Sequence, residues 1–140
     1  MGVAALILLD THVVLWFRSG VTLRSEAMRA IERASRERAI AVSAISAWEI
    51  GMLVNKGRIS VEESPEAYVR ALFARADILE APVSAEIAEL AARLPSAFHG
   101  DPADRIITAT AAKLGCPLAT RDKRLLRYGQ STRFIGIVAA

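Results

Sequence analysis

Four acidic residues stand out because they end predicted strands or lie on the apolar faces of predicted helices. Asp10 ends an uninterrupted apolar run at 3–9. Glu49 and Asp104 lie on apolar faces of predicted helices, and Asp122 directly follows the short apolar segment PLAT. Carboxylates brought together without cations raise one another's pKa values, and a hard divalent cation removes that penalty. Oxygen-only ligands of this kind fit Mg²⁺ or Mn²⁺.

A divalent cation in such a site lowers the pKa of a bound water, aims it, and neutralises charge on a phosphodiester. The residues therefore predict metal-dependent phosphodiester hydrolysis. Asp10 and Asp104 are the predicted core ligands. Asp122 is the third predicted metal ligand, and with Glu49 it completes the catalytic set directly or through water.

Each acid also has a structural explanation. Ser46 and Glu49 have the S-x-x-E form of a capping box, although Ser43 directly follows a predicted strand and is the better N-cap. Asp101 followed by proline is typical of a helix N-cap, so capping is its favoured role. In the first turn of its helix, Asp104 would interact favourably with the helix dipole. Asp122 could be the N-cap of the next helix. Only the joint pattern favours a functional site.

The elements that must position these acids alternate between strands and helices. Short apolar segments at 3–9, 39–42 and 117–120 predict buried strands, and weaker ones lie at 78–80 and 133–138. Helical spacing occurs between them, including helices at 43–56 and 101–114. This alternation predicts βαβ units, with a parallel sheet covered on both faces. Ligands of such sheets bind at the carboxyl ends of the strands, where the acids would meet.

The composition favours one domain spanning 1–140 with a substantial core. Hydrophobic residues make up 53% of the 140 residues, yet no apolar run approaches the roughly 20 residues needed to span a bilayer. The start of the chain lacks a basic region, which argues against a signal peptide. A single cysteine, Cys116, excludes an internal disulfide. A cytoplasmic location is therefore expected, without membrane association.

The net charge of +3 comes with 15 arginines and only 3 lysines. Arginine suits bidentate phosphate contacts, although a solvated surface with helix salt bridges explains this balance equally well. Trp16 and Trp48 lie in apolar helical stripes, so both side chains are predicted to be in the core. His12 and His99 have no second histidine or cysteine at ligand spacing, which argues against zinc. The predicted contacts with the phosphate backbone of a nucleic acid are Arg105, Arg121, Lys123 and Arg124.

Four segments of the chain resemble the acidic motifs of the PIN domain: LLDTHVVLW, SAISAWEIGMLVNKGRI, HGDPADRIITATA and LATRDKRLLRYG. They cover nearly the whole chain in order and are most similar to those of VapC-type toxins from bacterial toxin–antitoxin pairs. The resemblance implies an α/β three-layer sandwich with a central, mostly parallel five-stranded sheet. It also implies a Mg²⁺- or Mn²⁺-dependent ribonuclease that forms a homodimer and is inhibited by a VapB-type antitoxin.

The resemblance also carries site residues over, motif by motif. One departure is Gly100, where relatives often have a larger and frequently basic residue. The region 50–73 is the expected place for antitoxin or dimer contacts. The family's acids fall on Asp10, Glu49, Asp104 and Asp122, with Thr120 as a supporting hydroxyl and Asp101 as a secondary acid.

Two other functions fit less well. A non-cleaving PIN-like module that binds RNA or a partner protein has no reason to keep all four acids, least of all an inward Glu49. A Mg²⁺-dependent phosphatase of the haloacid dehalogenase type needs a D-x-D after the first strand, and the sequence Asp10-Thr11-His12 lacks the second aspartate.

Overall fold

A computed structural model describes residues 5–95, 101–132 and 136–140, with side chains described except at 130–132. These residues form strands alternating with helices, as the apolar segments predict. The strands are β1 (Ile7–Leu9), β2 (Ile40–Ser43), β3 (Ile78–Ala81), β4 (Leu118–Thr120) and β5 (Ile137–Ala139). The helices are α1 (Thr11–Ser19), α2 (Ser25–Arg36), α3 (Ile45–Asn55), α4 (Pro65–Phe73), α5 (Ala85–Ala92), α6 (Pro102–Leu114) and α7 (Lys123–Thr132).

The strands form one parallel sheet in the order β3-β2-β1-β4-β5. β1 is central, and its Leu9 pairs with Val42 of β2 and with Ala119 of β4. Since the strands are parallel and in register, β1, β2 and β4 end at the same edge, here called the carboxyl edge. Asp10 and Thr120 therefore meet there. The predicted fold is confirmed, and the sheet is parallel throughout.

Successive residues of β1 face opposite sides of the sheet. Ile7 and Leu9 belong to an apolar cluster that includes buried residues of α1, α2 and α4, whereas Leu8 packs in a second cluster with α6 and α7. Each such buried side chain stabilises the fold by about 1.5–3 kcal/mol relative to exposure. The result is a three-layer sandwich whose rigid centre holds the carboxyl edge.

Helix α6 begins as its sequence predicts. Asp101 is the N-cap, and its Oδ1 accepts a hydrogen bond from the Asp104 N–H at 3.1 Å. Pro102 occupies the first helical position, where its missing N–H costs nothing. The cap fixes the first turn of α6, and with it the position of Asp104.

The start of α3 differs from its prediction. Ser43 is the last residue of β2 rather than the N-cap, although its hydroxyl accepts a hydrogen bond from the Ile45 N–H at 3.2 Å. The capping-box alternative is also wrong, because Ser46 lies inside the helix and its hydroxyl is 2.8 Å from that of Thr11. Glu49 is thereby left without a capping role.

The two tryptophans behave differently. Trp16 packs against the core as predicted. The core prediction for Trp48 is wrong, because this side chain is 54% exposed on α3. The apolar neighbours of Trp48 in sequence made the whole helix resemble a buried one, and only the packing decides which face is covered.

Some predictions fall where the structure gives no description. Residues 133–135 of the predicted last strand lie outside the described residues, and β5 is observed at Ile137–Ala139. His99 and Gly100 also lie outside them. Among the described residues, no helix combines the length and apolarity needed to cross a membrane.

Candidate active site

Asp10 is the fixed point of the carboxyl edge. It is buried at the end of β1, where its Oδ1 accepts a hydrogen bond from the Thr11 N–H at 2.8 Å. Its Oδ2 accepts one from the Thr120 hydroxyl at 2.7 Å. Burial raises the pKa of Asp10, and the hydrogen bonds from Thr120 and Thr11 lower it in part. Both oxygens are therefore held in place before any ligand binds.

Thr120 joins two acids that are far apart in sequence. Its buried hydroxyl donates to Asp10 and accepts a hydrogen bond from the Asp122 N–H at 3.1 Å. The loop after β4 is thereby fastened to the end of β1. The supporting role of Thr120 beside a metal stays a prediction, and these contacts place its hydroxyl against Asp10.

Three further carboxylates converge beside this pair. Glu49, Asp101 and Asp104 each offer an oxygen, and these oxygens all lie within 4.8 Å of one another. Asp101 was expected to be secondary, yet it both caps α6 and contributes to this group. A carboxylate has two oxygens, so the cap does not prevent Asp101 from joining this group.

Burial and the negative charges of these acids raise the pKa of Asp104. Burial, followed by the negative charge of Asp10, Asp101, Glu49 and Asp122, raises the pKa of Asp104 to about 8. Burial also raises the pKa of Glu49, although the Thr11 hydroxyl offsets part of this effect. The Oε1 atom of Glu49 is buried without a hydrogen-bond partner.

These observations fit a divalent cation. All three converging groups are carboxylates, which suits hard ions such as Mg²⁺ and Mn²⁺. A buried oxygen without a partner is costly, and a cation would satisfy it. A cation would also remove the repulsion that raises the pKa of Asp104.

Asp122 has a different environment because Arg124 neutralises it. Its Oδ1 accepts a hydrogen bond from the Arg124 N–H at 2.8 Å, and the guanidinium Nη2 lies 3.3 Å from its Oδ2. Burial acts to raise the pKa of Asp122, but the contacts with Arg124 lower it overall. The same Nη2 is 3.9 Å from Asp104 Oδ2, so Arg124 bridges the two acids.

The acids line an open cleft of about 380 Å³ at the carboxyl edge. His12 and Trp16 of α1 line another part of it, with their ring centroids 5.7 Å apart. Arg121 also lines the cleft, with its guanidinium 4.1 Å from the centre of the Trp16 ring. The acids thus lie at the floor of a cavity with aromatic and cationic groups around it.

Two of the arginines predicted to contact RNA have structural partners within the chain. Arg121 donates to the carbonyls of Ala140 at 3.0 Å and Thr22 at 3.2 Å. Arg105 donates to the carbonyls of Ala91 at 3.1 Å and Leu94 at 3.0 Å, at the end of α5. Their contact with RNA stays a prediction without support from this geometry.

Lys123 and Arg124 are both exposed, and their contact with RNA also stays a prediction.

A further basic residue, Arg58, lines the cleft and was not predicted from the sequence. The sequence feature that could have identified Arg58 is its position directly after the helix-ending segment Asn-Lys-Gly. Helical spacing alone does not show that a residue beyond the end of α3 lines the cleft.

Comparison with known proteins agrees with this architecture. The family model described as PIN domain matches residues 7–130. Ribonuclease VapC22 of Mycobacterium tuberculosis (strain ATCC 25618 / H37Rv) is 37% identical over 120 residues, which are 85% of this chain and 88% of that protein.

Solved structures of similar fold come from toxin–antitoxin complexes. A chain of VapBC2 from Rickettsia felis, bound to a DNA fragment from its promoter, has a TM-score of 0.68 at 14% identity, covering 95% of this chain and 97% of that one. A chain of VapBC-5 from Mycobacterium tuberculosis has a TM-score of 0.61 at 22% identity, covering 99% of this chain and 100% of that one. At these identities the likeness concerns the fold.

Proposed function

We propose that this chain, which belongs to the PIN domain family as a VapC-type member, is a metal-dependent endoribonuclease and the toxin of a toxin–antitoxin pair. The observation that carries the proposal is the convergence of Glu49, Asp101 and Asp104 beside the buried Asp10. The 37% identity to a ribonuclease supports RNA as the substrate class.

The metal, proposed as Mg²⁺ or Mn²⁺, would be held by Asp104 together with Asp101 and Glu49. Asp10 and Asp122 would complete the set directly or through water. When bound, the ion supplies a water of lowered pKa and neutralises charge on the phosphodiester. This set differs from the sequence prediction by giving Asp101 a larger part, because its oxygen lies within 4.8 Å of the other two.

The chain's own residues prepare this chemistry. Thr120 holds Asp10 and the Asp122 backbone in fixed relative positions. Arg124 keeps Asp122 ionised, while Asp104 must lose its proton before it can act as a ligand. Ordered acids that are already in place reduce the cost of assembling the site.

The proposal includes partners. A VapB-type antitoxin is the proposed inhibitor, since structures of similar fold are toxin–antitoxin complexes. A homodimer and a cytoplasmic location are proposed on the family resemblance, with the region 50–73 as the candidate surface for dimer or antitoxin contacts.

The test is cleavage of a mixed RNA pool by the purified protein, freed of partners, with Mg²⁺ or Mn²⁺. EDTA and Asp104→Asn should each abolish cleavage, whereas Glu26→Gln, an exposed acid of α2, should leave it unchanged. Persistence of cleavage in EDTA and in Asp104→Asn would exclude the metal site. RNA binding by the wild type without cleavage would favour the non-cleaving module instead.

A further inference from the structure

We propose that Arg58 binds a phosphate of the RNA strand in the cleft that the acids line. The inference rests on the proposed ribonuclease function and deepens it by naming a substrate-binding residue. Three observations support it. The backbone of Arg58 is fixed by hydrogen bonds, its side chain lines the cleft, and the other arginines of the cleft already have partners within the chain.

The backbone of Arg58 is fixed by the way α3 ends. Gly57 has a φ of 69°, a left-handed conformation that glycine adopts without strain. The Gly57 N–H donates to the Val54 carbonyl at 3.0 Å, and the Arg58 N–H donates to the Leu53 carbonyl at 2.9 Å. This pair of hydrogen bonds is the Schellman motif, which satisfies the last carbonyls of a helix. The backbone of Arg58 is therefore fastened to the end of α3, the helix that carries Glu49.

The side chain of Arg58 is exposed and lines the same cleft as the acids. It comes from the α3 side of the cleft, whereas Arg121 and Arg124 come from the segment after β4. Since α3 follows β2 and α7 follows β4, with β1 between them, the cations lie on both sides of Asp10.

The other two arginines of the cleft are already engaged. Arg121 stacks on Trp16 and donates to two carbonyls, and Arg124 pairs with Asp122 and Asp104. Within the described part of the chain, the Arg58 guanidinium has no hydrogen bond, ion pair or ring contact. Arg58 is thus ready to bind a ligand without first breaking a contact.

A phosphate is the ligand that fits this position. Five carboxylates line the cleft, more than one divalent ion neutralises, so a further cation in the cleft favours binding of an RNA backbone. A guanidinium presents two parallel N–H donors to a phosphate, and an exposed one loses little hydration before it binds. Because the backbone of Arg58 is fixed at the end of α3, its contact with a phosphate would lie in the cleft that the acids line.

The experiment measures binding of a fluorescent single-stranded RNA by anisotropy across a KCl series. Every protein carries Asp104→Asn so that the RNA stays intact. Arg58→Ala is compared with Arg29→Ala, an exposed arginine of α2 outside the cleft, which removes the same charge. Arg58→Ala should weaken binding about five- to tenfold and reduce the salt slope by about 0.7, the value for one phosphate contact on a single strand. Arg58→Lys should retain the slope and lose part of the affinity.

Equal effects of Arg58→Ala and Arg29→Ala on RNA binding would overturn the inference. It also fails if Arg58→Ala weakens binding of a VapB-type antitoxin and not of RNA. Cleavage by the protein without Asp104→Asn serves as the separate check on function. If that protein cuts RNA while the two arginine variants bind alike, only the role of Arg58 fails. If it neither cuts nor binds RNA, the proposed function fails with it.

Discussion

At the two ends of the sheet, the pKa values of the acids Asp104 and Asp77 shift in opposite directions. At the carboxyl edge, burial and neighbouring acids raise the pKa of Asp104 to about 8. At the amino end, Asp77 directly precedes β3, and its side chain is only 15% exposed. The Arg75 side chain donates to Asp77 at 3.0 Å and 2.9 Å, and the Ser35 hydroxyl at 2.7 Å, which lowers the pKa of Asp77 to about 2.

The difference separates an acid with a structural role from one that we propose takes part in metal binding. Asp77 has its charge neutralised within the chain, and it joins the end of α2 to the start of β3. At the carboxyl edge, Arg124 pairs with Asp122 at 3.3 Å, and its Nη2 lies 3.9 Å from Asp104 Oδ2. The raised pKa of Asp104 is compatible with the cation proposed for this site, and strongly shifted pKa values cluster at functional sites.

The largest expected contrast is in RNA cleavage. Asp104→Asn should reduce the cleavage rate at least about 100-fold, because the metal loses a central ligand. Asp77→Asn should leave the rate per folded molecule within about twofold, because Asp77 lies at the other end of the sheet. Initial rates on one RNA, corrected for the folded fraction by circular dichroism, measure the contrast. Similar losses of cleavage rate in both variants would contradict the expected contrast.

Metal affinity should depend on pH. Below about pH 8 Asp104 is protonated in the metal-free protein, so binding must release a proton. The Mn²⁺ association constant should therefore rise up to about tenfold per pH unit and level off above pH 8. Titration calorimetry in buffers of different ionisation enthalpy measures both the affinity and the proton release. A pH-independent affinity between pH 6 and 8 would mean that Asp104 is already ionised.

Removing the charge of Asp104 should stabilise the metal-free fold at high pH. A folded-state pKa of about 8, above the ordinary 3.8, contributes stability below pH 4 that is lost as the pH rises to 8. Asp104→Asn avoids this loss, so it should gain about 1–3 kcal/mol in unfolding free energy above pH 8. Asp10 is less suited to this test, because Asp10→Ala would leave the Thr120 hydroxyl without its acceptor.

Urea denaturation in EDTA, at about pH 5 and about pH 9, measures the gain. The difference between Asp104→Asn and the wild type should be small at the lower pH and larger at the higher one. A variant that is less stable than the wild type at both pH values would contradict the repulsion at the carboxyl edge.

The smallest effect is expected at Asp77. Its pKa is lowered from 3.8 to about 2, so its stabilisation is present above pH 4 and is lost as the pH falls through 2. Asp77→Asn should cost about 1–2 kcal/mol at neutral pH, reduced for solvent screening, and the cost should vanish toward pH 2. Denaturant midpoints at several pH values test this. A cost that stays constant down to pH 2 would assign it to packing instead of charge.

Much of the fold was predictable because its signals are local. The apolar run before Asp10 and the segment PLAT give buried strands, and the Asp-Pro pair at 101–102 gives a helix start, all within a few residues. The wrong predictions for Trp48 and Ser43 concern which face of a helix is covered and where one element gives way to the next. Both depend on neighbours distant in sequence. A single domain over 1–140 stays a prediction.

For the site, the sequence by itself determined the residue types and their order. The acids at 10, 49, 104 and 122 follow strands or lie on the helices between them, and a parallel sheet must bring such positions to one edge. Only the tertiary structure decided which oxygens converge. It added Asp101 to Glu49 and Asp104, gave both oxygens of Asp10 to hydrogen bonds, and engaged Arg105 and Arg121 with backbone carbonyls. The reason is physical: chemical type is a property of a residue, whereas ligand geometry and a free charge are set by side chains that meet only after folding.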